Sequence, residues 1–264
     1  MRAADYPYLG DTTPIALAHR GGAAYAPNVG IENTLSAFRR AVDLGYRYLE
    51  TDVHATADGV LLAFHDAHLD RVTDGTGAIA DLPYAAVREV RVGGREEVPR
   101  LEDLVEELPD ARFNIDVKAP EGVAPLVRLV RERGLIDRVC VGSFSERRLR
   151  AVRRALGPRL ATAAGQVGTG QFRFAPRMVL RLLHTPAPVF QIPETHELRG
   201  RTVRLVTPQL VRRAHDLGKQ VHVWTIDEAA DMERLLDWGV DGIVTDRIDT
   251  LADVLRGRGI ALGR

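Results

Sequence analysis

The chain is predicted to fold as a (β/α)8 TIM barrel, with a small hairpin and loop insertion after its second strand. Three observations predict this. With the hairpin arm set aside, eight apolar strand runs alternate with helix patterns. The helix patterns end on glycines such as Gly45, Gly134, Gly157, Gly218 and Gly239, residues that close helices in a left-handed turn. No GxGxxG follows a strand and no P-loop is present, which counts against the runner-up, a doubly wound sheet. A length of 264 residues suits one α/β barrel as well as two small domains, and with this alternation a single domain over 1–264 is expected.

Residues 15–19, IALAH, read as a buried strand ending on Gly21-Gly22, a pair that would let backbone approach a ligand closely. After a loop, Asn33 or Thr34 can cap a helix with apolar positions Leu35, Phe38, Ala41 and Val42. Residues 46–53 are the second strand. Residues 54–110 then break the rhythm. Asp58-Gly59 is a hairpin signal, and the apolar run 60–64 behind it should pair antiparallel with the end of the second strand. A tight turn there sets position 52 opposite position 65, and so delivers His65-Asp66 to the strand end. A Gly-rich loop follows, and Pro99 precedes a short helix, LEDLVEEL.

Alternation then resumes. Residues 112–117 are a strand, 121–133 a helix and 138–142 a strand. Ser145 caps a helix with Leu149, Val152 and Leu156 on one face, and 160–164 is a weak strand. Residues 165–187 are expected to be a loop and an Arg-rich helix around 178–183. Residues 189–192 are a short strand. Thr207-Pro208 caps and starts a helix. Residues 220–225 are a strand, Asp227 caps a helix reaching Trp238, 241–245 are a strand, and a last helix lies near 249–256.

Lys plus Arg and Asp plus Glu both number 36. The zero balance argues against a general nucleic-acid or anionic-membrane binder. No segment reaches the roughly 18 apolar residues of a membrane span, and the N-terminus has no apolar run long enough for a signal peptide. A cytoplasmic protein with no stable membrane insertion is expected. Cys140, the only cysteine, lies in the apolar run RVCVGSF and is expected to be an inert core thiol.

A barrel places its active site at the C-terminal strand ends. The polar residues there are His19 and Arg20, Glu50 and Asp52, Asp116 and Lys118, Ser143, Trp224 with Thr225, and Asp246. Residues two apart on a strand share a face. Glu50 and Asp52 therefore stand side by side, as do Asn114, Asp116 and Lys118. Neighbouring carboxylates repel unless a cation separates them, and a hard divalent ion is the usual solution. A salt-bridged rim and a surface hairpin with polar ends stay open on these residues alone.

Taken together, His19-Arg20-Gly21, Glu32-Asn33-Thr34, Glu50-x-Asp52, Thr56-x-Asp58-Gly59 and His65-Asp66 resemble the glycerophosphodiester phosphodiesterase family. Asp116-x-Lys118, Trp224-Thr225 and GVDGIVTD at 239–246 extend the resemblance from about residue 15 to 255. It implies a (β/α)8 barrel that hydrolyses glycerophosphodiesters to sn-glycerol 3-phosphate and an alcohol. It also implies one divalent cation, Mg2+ or Ca2+, on Glu50, Asp52 and Asp116, with His19 and His65 as the acid–base pair. Arg20 and Lys118 would hold the phosphate, and Trp224 would wall the substrate pocket. Asp116 stands where the family commonly has Glu. The related spider-venom phospholipase D toxins use Asp there, which keeps lysophospholipase D or cyclising activity open. The contrasting class is a phosphate-binding barrel without catalysis, acting as a sensor or scaffold. Such a chain would be expected to lack a histidine or a carboxylate, and none is missing. Glu32 is expected to orient Arg20 or to serve the helix start. His54 and His68 are expected to face solvent, and His184, His196, His215 and His222 to be structural or exposed.

Overall fold

The computed structural model describes residues 1–10, 14–174, 186–198 and 200–262. In chain order the strands are β1 (Ile15–His19), β2 (Tyr48–Ala55), β3 (Leu61–Ala63), β4 (Arg91–Val92), β5 (Glu96–Glu97), β6 (Arg112–Val117), β7 (Val139–Gly142), β8 (Ala161–Thr162), β9 (Val189–Pro193), β10 (Thr195–Leu198), β11 (Arg201–Arg204), β12 (Gln220–Trp224) and β13 (Gly242–Thr245). Eight of them form one parallel sheet in the order β8-β7-β6-β2-β1-β13-β12-β9. Its two ends meet through a parallel bridge, Ala163 to Val189, so the sheet nearly closes on itself. The eight expected strands are these eight.

Side-chain alternation divides the interior in two. Leu49, Val53, Phe113, Ile115, Val141, Val223 and Ile243 point outward and pack under the helices, against Leu104, Leu126, Val152 and Leu251 among others. Each such residue is essentially solvent-free, worth about 1.5–3 kcal/mol for a large side chain. Leu17, Tyr48, Cys140, Val189 and Val244 form a second cluster with Ala3, Tyr6, Tyr8 and Leu9 of the N-terminal segment. That segment plugs the floor of the barrel. The Tyr48 hydroxyl and the Arg112 guanidinium both donate to the Tyr8 carbonyl, at 2.9 and 3.0 Å. Cys140 is buried there, and burial pushes its thiol up to about 12.

Local chemistry sets three of the helix starts. The hydroxyls of Thr34, Ser145 and Thr207 accept from the backbone N–H three residues on, starting Leu35–Asp43, Glu146–Leu156 and Pro208–Asp216. Asp227 departs from the expectation. The cap position of Ala229–Asp237 is Glu228, and the Asp227 carboxylate turns instead to the β13 end. Val42 falls off the packed helical face and is exposed. Gln166–Phe174 is helical where the sequence pattern suggests a loop, and the Arg-rich helix expected around 178–183 lies outside the described residues. The antiparallel pair β10–β11 has no counterpart among the expected elements. Its described side chains are largely exposed, so no apolar face marks it in the sequence.

The insertion after β2 forms its own layer. Leu62, Phe64, Leu69, Ile79, Val87, Val92 and Val98 make a separate core. β3 pairs antiparallel with the end of β2, as expected, but in a register shifted by one residue. Phe64, not His65, lies opposite Asp52, donating its N–H to the Asp52 carbonyl. The turn has three residues rather than two. Gly59 N–H donates to Thr56 O and Gly59 takes φ +81°, a type I turn closed by a left-handed glycine. The Thr56 hydroxyl, bonded to Asp58 and receiving Val60 N–H, stabilises that longer turn.

Candidate active site

The polar residues named from the strand ends converge at one mouth of the barrel. β2 carries Glu50 and Asp52, and its neighbour β6 brings Asp116 level with Asp52. β1 lies on the other side of β2 and sets His19 level with Glu50. Lys118, just beyond β6, donates to Asp52 Oδ1 at 2.7 Å and to Asp116 Oδ2 at 2.8 Å. Arg20 Nε lies 3.3 Å from Asp52 Oδ2, and His19 Nε2 lies 3.7 Å from Glu50 Oε2. Burial first, and the neighbouring Asp52 charge second, push the Glu50 carboxyl up to about 8. Burial pulls Lys118 down, but Asp52 and Asp116 outweigh it and hold the ammonium above its ordinary value.

The donor chemistry fits a hard cation. Glu50 Oε2, Asp52 Oδ2 and Asp116 Oδ1 are buried acceptors with no hydrogen-bond partner. Buried carboxylate oxygens are normally satisfied, and three orphans from three neighbouring strand positions form an oxygen-only set suited to Mg2+ or Ca2+. Among the described residues no group of three or more His, Cys, Asp or Glu side chains, these three carboxylates included, is placed to hold a metal ion. Lys118 is the cation that bridges two of them.

Both candidate histidines are held through Nδ1. His19 Nδ1 is 2.8 Å from Asp246 Oδ1, at the end of β13. His65 Nδ1 is 2.6 Å from Asp66 Oδ1. An ionised carboxylate only accepts, so in the neutral ring Nδ1 carries the proton and Nε2 is left to accept one. Burial lowers the His19 pKa, while Glu50 and Asp246 raise it by more, leaving it above the ordinary value. Asp246 is itself placed by Asp227, whose Oδ1 accepts from the Thr245 hydroxyl and from the N–H groups of Asp246 and Arg247. His65 is joined to the carboxylates through other side chains, Asp66, Arg71, Glu32 and Arg20.

Arg20 has φ +51°, a conformation costly for a non-glycine residue and typical of functional sites. The strain is held by Arg20 N–H donating to Glu50 O and Asn33 N–H donating to Arg20 O. The two glycines after it also take left-handed backbone, φ +84° at Gly21 and +90° at Gly22, and are packed tightly. A Cβ on Gly21 would lie 2.9 Å from Ala37, and one on Gly22 would lie 2.7 Å from Ile248.

Trp224 stands at the rim. Its ring meets Phe144 edge-on at 6.1 Å, and Lys118 Nζ sits 5.9 Å from the centre of the Phe144 ring. Phe144, half exposed, is absent from the expected site residues, although it directly follows the polar strand end Ser143. Ser143 itself donates to Val117 O and accepts from Arg148, which ties two loops together. His54 corrects an expectation. It is buried, and its Nε2 bonds the His65 carbonyl at 3.1 Å. His68, His196 and His215 are exposed and His222 is fully buried, while His184 lies outside the described residues.

The sequence matches the model of the glycerophosphoryl diester phosphodiesterase family over residues 19–250. It is 41% identical over 254 residues to a Mycobacterium tuberculosis protein named probable glycerophosphodiester phosphodiesterase 2, covering 93% of this chain and 92% of that one. It is 28% identical to the glycerophosphodiester phosphodiesterase of Caldanaerobacter subterraneus, covering 93% and 99%. The fold matches a crystal structure of glycerophosphodiester phosphodiesterase from Agrobacterium tumefaciens with TM-score 0.73 and 27% identity, over 92% and 99% of the two chains. Among the described residues no helix is long and apolar enough to cross a membrane.

Proposed function

The chain belongs to the glycerophosphoryl diester phosphodiesterase family, and on that premise we propose that it hydrolyses glycerophosphodiesters to sn-glycerol 3-phosphate and an alcohol. The observation that carries the reading is the trio of orphaned carboxylate oxygens on Glu50, Asp52 and Asp116, set beside two cations and a histidine. Those three residues would hold the divalent cation, which when bound would neutralise charge on a non-bridging phosphoryl oxygen.

Arg20 and Lys118 hold the phosphodiester. Lys118 has three N–H donors and gives two to Asp52 and Asp116, so the third is available to phosphate. Arg20 gives Nη1 to Glu32 and turns Nε towards Asp52, which leaves Nη2 for a phosphate oxygen. One histidine takes a proton at Nε2 from the attacking oxygen, of water or of a glycerol hydroxyl. The other protonates the leaving alkoxide. Attack by the hydroxyl gives a cyclic phosphate, which water opens in a second round. Asp246 and Asp66 hold the two rings and stabilise the imidazolium that forms. Trp224 and Phe144 wall the pocket on the side of β12 and β7. The substrate is a small molecule, and the protein's location in this reading is the cytoplasm.

The test is incubation of the pure protein with a panel of glycerophosphodiesters and lysophosphodiesters, with and without chelator, and identification of the products. Release of sn-glycerol 3-phosphate that chelator abolishes is expected. Tight binding of the diesters without turnover at any divalent cation would overturn the enzyme reading in favour of a phosphate-binding barrel.

A further inference from the structure

Arg71 lies outside the barrel, in the segment after β3, and takes no direct part in the reaction above. Its guanidinium nevertheless touches both halves of the site. Nη2 and Nη1 bond Glu32 Oε1 and Oε2 at 2.7 and 3.0 Å, and Nε bonds Asp66 Oδ2. Each of those carboxylates has a second partner. Asp66 Oδ1 holds His65 Nδ1 at 2.6 Å, and Glu32 Oε1 holds Arg20 Nη1 at 3.0 Å. The path runs unbroken from His65 through Asp66, Arg71 and Glu32 to Arg20. Its two ends lie on different segments: Glu32 follows β1, while Asp66 and Arg71 belong to the insertion.

We propose that Arg71 is a positioning residue that orients His65 and Arg20 together by fixing Asp66 and Glu32. The proposal rests on the roles given to those two residues above. The chemistry favours an arginine here. A planar fork can hold two oxygens of one carboxylate and one of another at set angles, whereas a lysine ammonium is a point charge. Nearly half of the Arg71 side chain is exposed, so the ion pairs themselves add little to folding. What they supply is direction: Asp66 is held through Oδ2 while Oδ1 faces His65, and Glu32 is held through both oxygens, with Oε1 shared between Arg71 and Arg20. Both acids stay anionic in this setting. Burial raises Glu32 and Asp66, but Arg71 and the site cations more than offset it.

The test uses the full chain with its metal. Arg71→Ala should lower kcat/KM by about 10–100-fold, the usual effect of removing a partner behind a functional ligand, with little change in Tm. Added guanidinium ion should restore part of the rate, and sodium chloride at equal ionic strength should not. Arg71→Lys keeps the charge without the fork and should stay impaired; it also decides the matter if Arg71→Ala does not fold. Arg71→Ala should cost much less in a His65→Ala background. Full activity of Arg71→Lys, or loss of rate that guanidinium does not rescue, would overturn the positioning role. A fully active His65→Ala would instead overturn the mechanism on which it rests, so the two failures are distinguishable.

Discussion

The Nδ1 atom of His19 lies 2.8 Å from Oδ1 of Asp246, 227 residues further along the chain. Closure of the barrel makes this contact, because β1 and β13 are parallel neighbours in the register Ala18 to Thr245. An acceptor on Nδ1 keeps Nε2 free for the substrate. Asp246→Asn removes the obligate acceptor and can favour the wrong tautomer. It should lower kcat by about 10²–10⁴-fold, by analogy with the same Asp-to-Asn change in a serine-protease triad. Nitrogen NMR of the His19 ring should show protonation moving from Nδ1. Unchanged kcat in Asp246→Asn would exclude an orienting role.

His19→Ala and His65→Ala should each cost about 10²–10⁴-fold, the usual worth of one positioned acid or base. Groups that act as a unit are non-additive, so the double variant should be little worse than the worse single. A diester with a nitrophenolate leaving group needs no proton on departure. It should rescue whichever variant has lost the acid and leave the other inactive. Rescue of both, or of neither, would rule out a one-acid, one-base division of labour.

Glu50, Asp52 and Asp116 each carry a buried oxygen that has no hydrogen-bond partner. Chelation should abolish turnover and lower Tm, since an ion bound only by the native state stabilises it. Re-addition of Mg2+ or Ca2+ should reverse both effects. Asp52→Asn should bind the ion more weakly, as seen by calorimetry without substrate. Full turnover after exhaustive chelation would end the metal reading.

His222 lies in the barrel interior, and complete burial holds its pKa down to about 3. The unfolded chain takes up that proton near 6.5. Between about 6.5 and 3 the unfolded state therefore binds more protons than the folded one. The contribution of His222 is fully present above 6.5 and is lost as pH falls, by about 1.4 kcal/mol per pH unit in that window. His222→Gln should flatten the acid side of the stability curve. Urea midpoints of both proteins at several pH values between 7 and 4 would check this, and parallel curves would refute it.

What the sequence by itself determined is what depends on near neighbours in the chain. Strand and helix periodicity is local, so eight strands in order, and Glu50 and Asp52 on one face of β2, could be read directly. So could the caps at Thr34, Ser145 and Thr207, because a cap needs only a side chain and a backbone N–H three residues away. Tertiary structure decided whatever depends on a partner from elsewhere. Asp227 looks like a helix cap in sequence, yet the end of β13 offers it three donors and takes it. His54 looks like a solvent-facing neighbour, yet the insertion folds over it and buries it. The one-residue shift of the hairpin register is the exception, a local effect that Asp58-Gly59 alone did not reveal: Thr56 and Gly59 stabilise a three-residue turn. Asp246, Arg71 and Glu32 gained their partners only when closure of the barrel and docking of the insertion brought distant segments together, and no local pattern records such a contact.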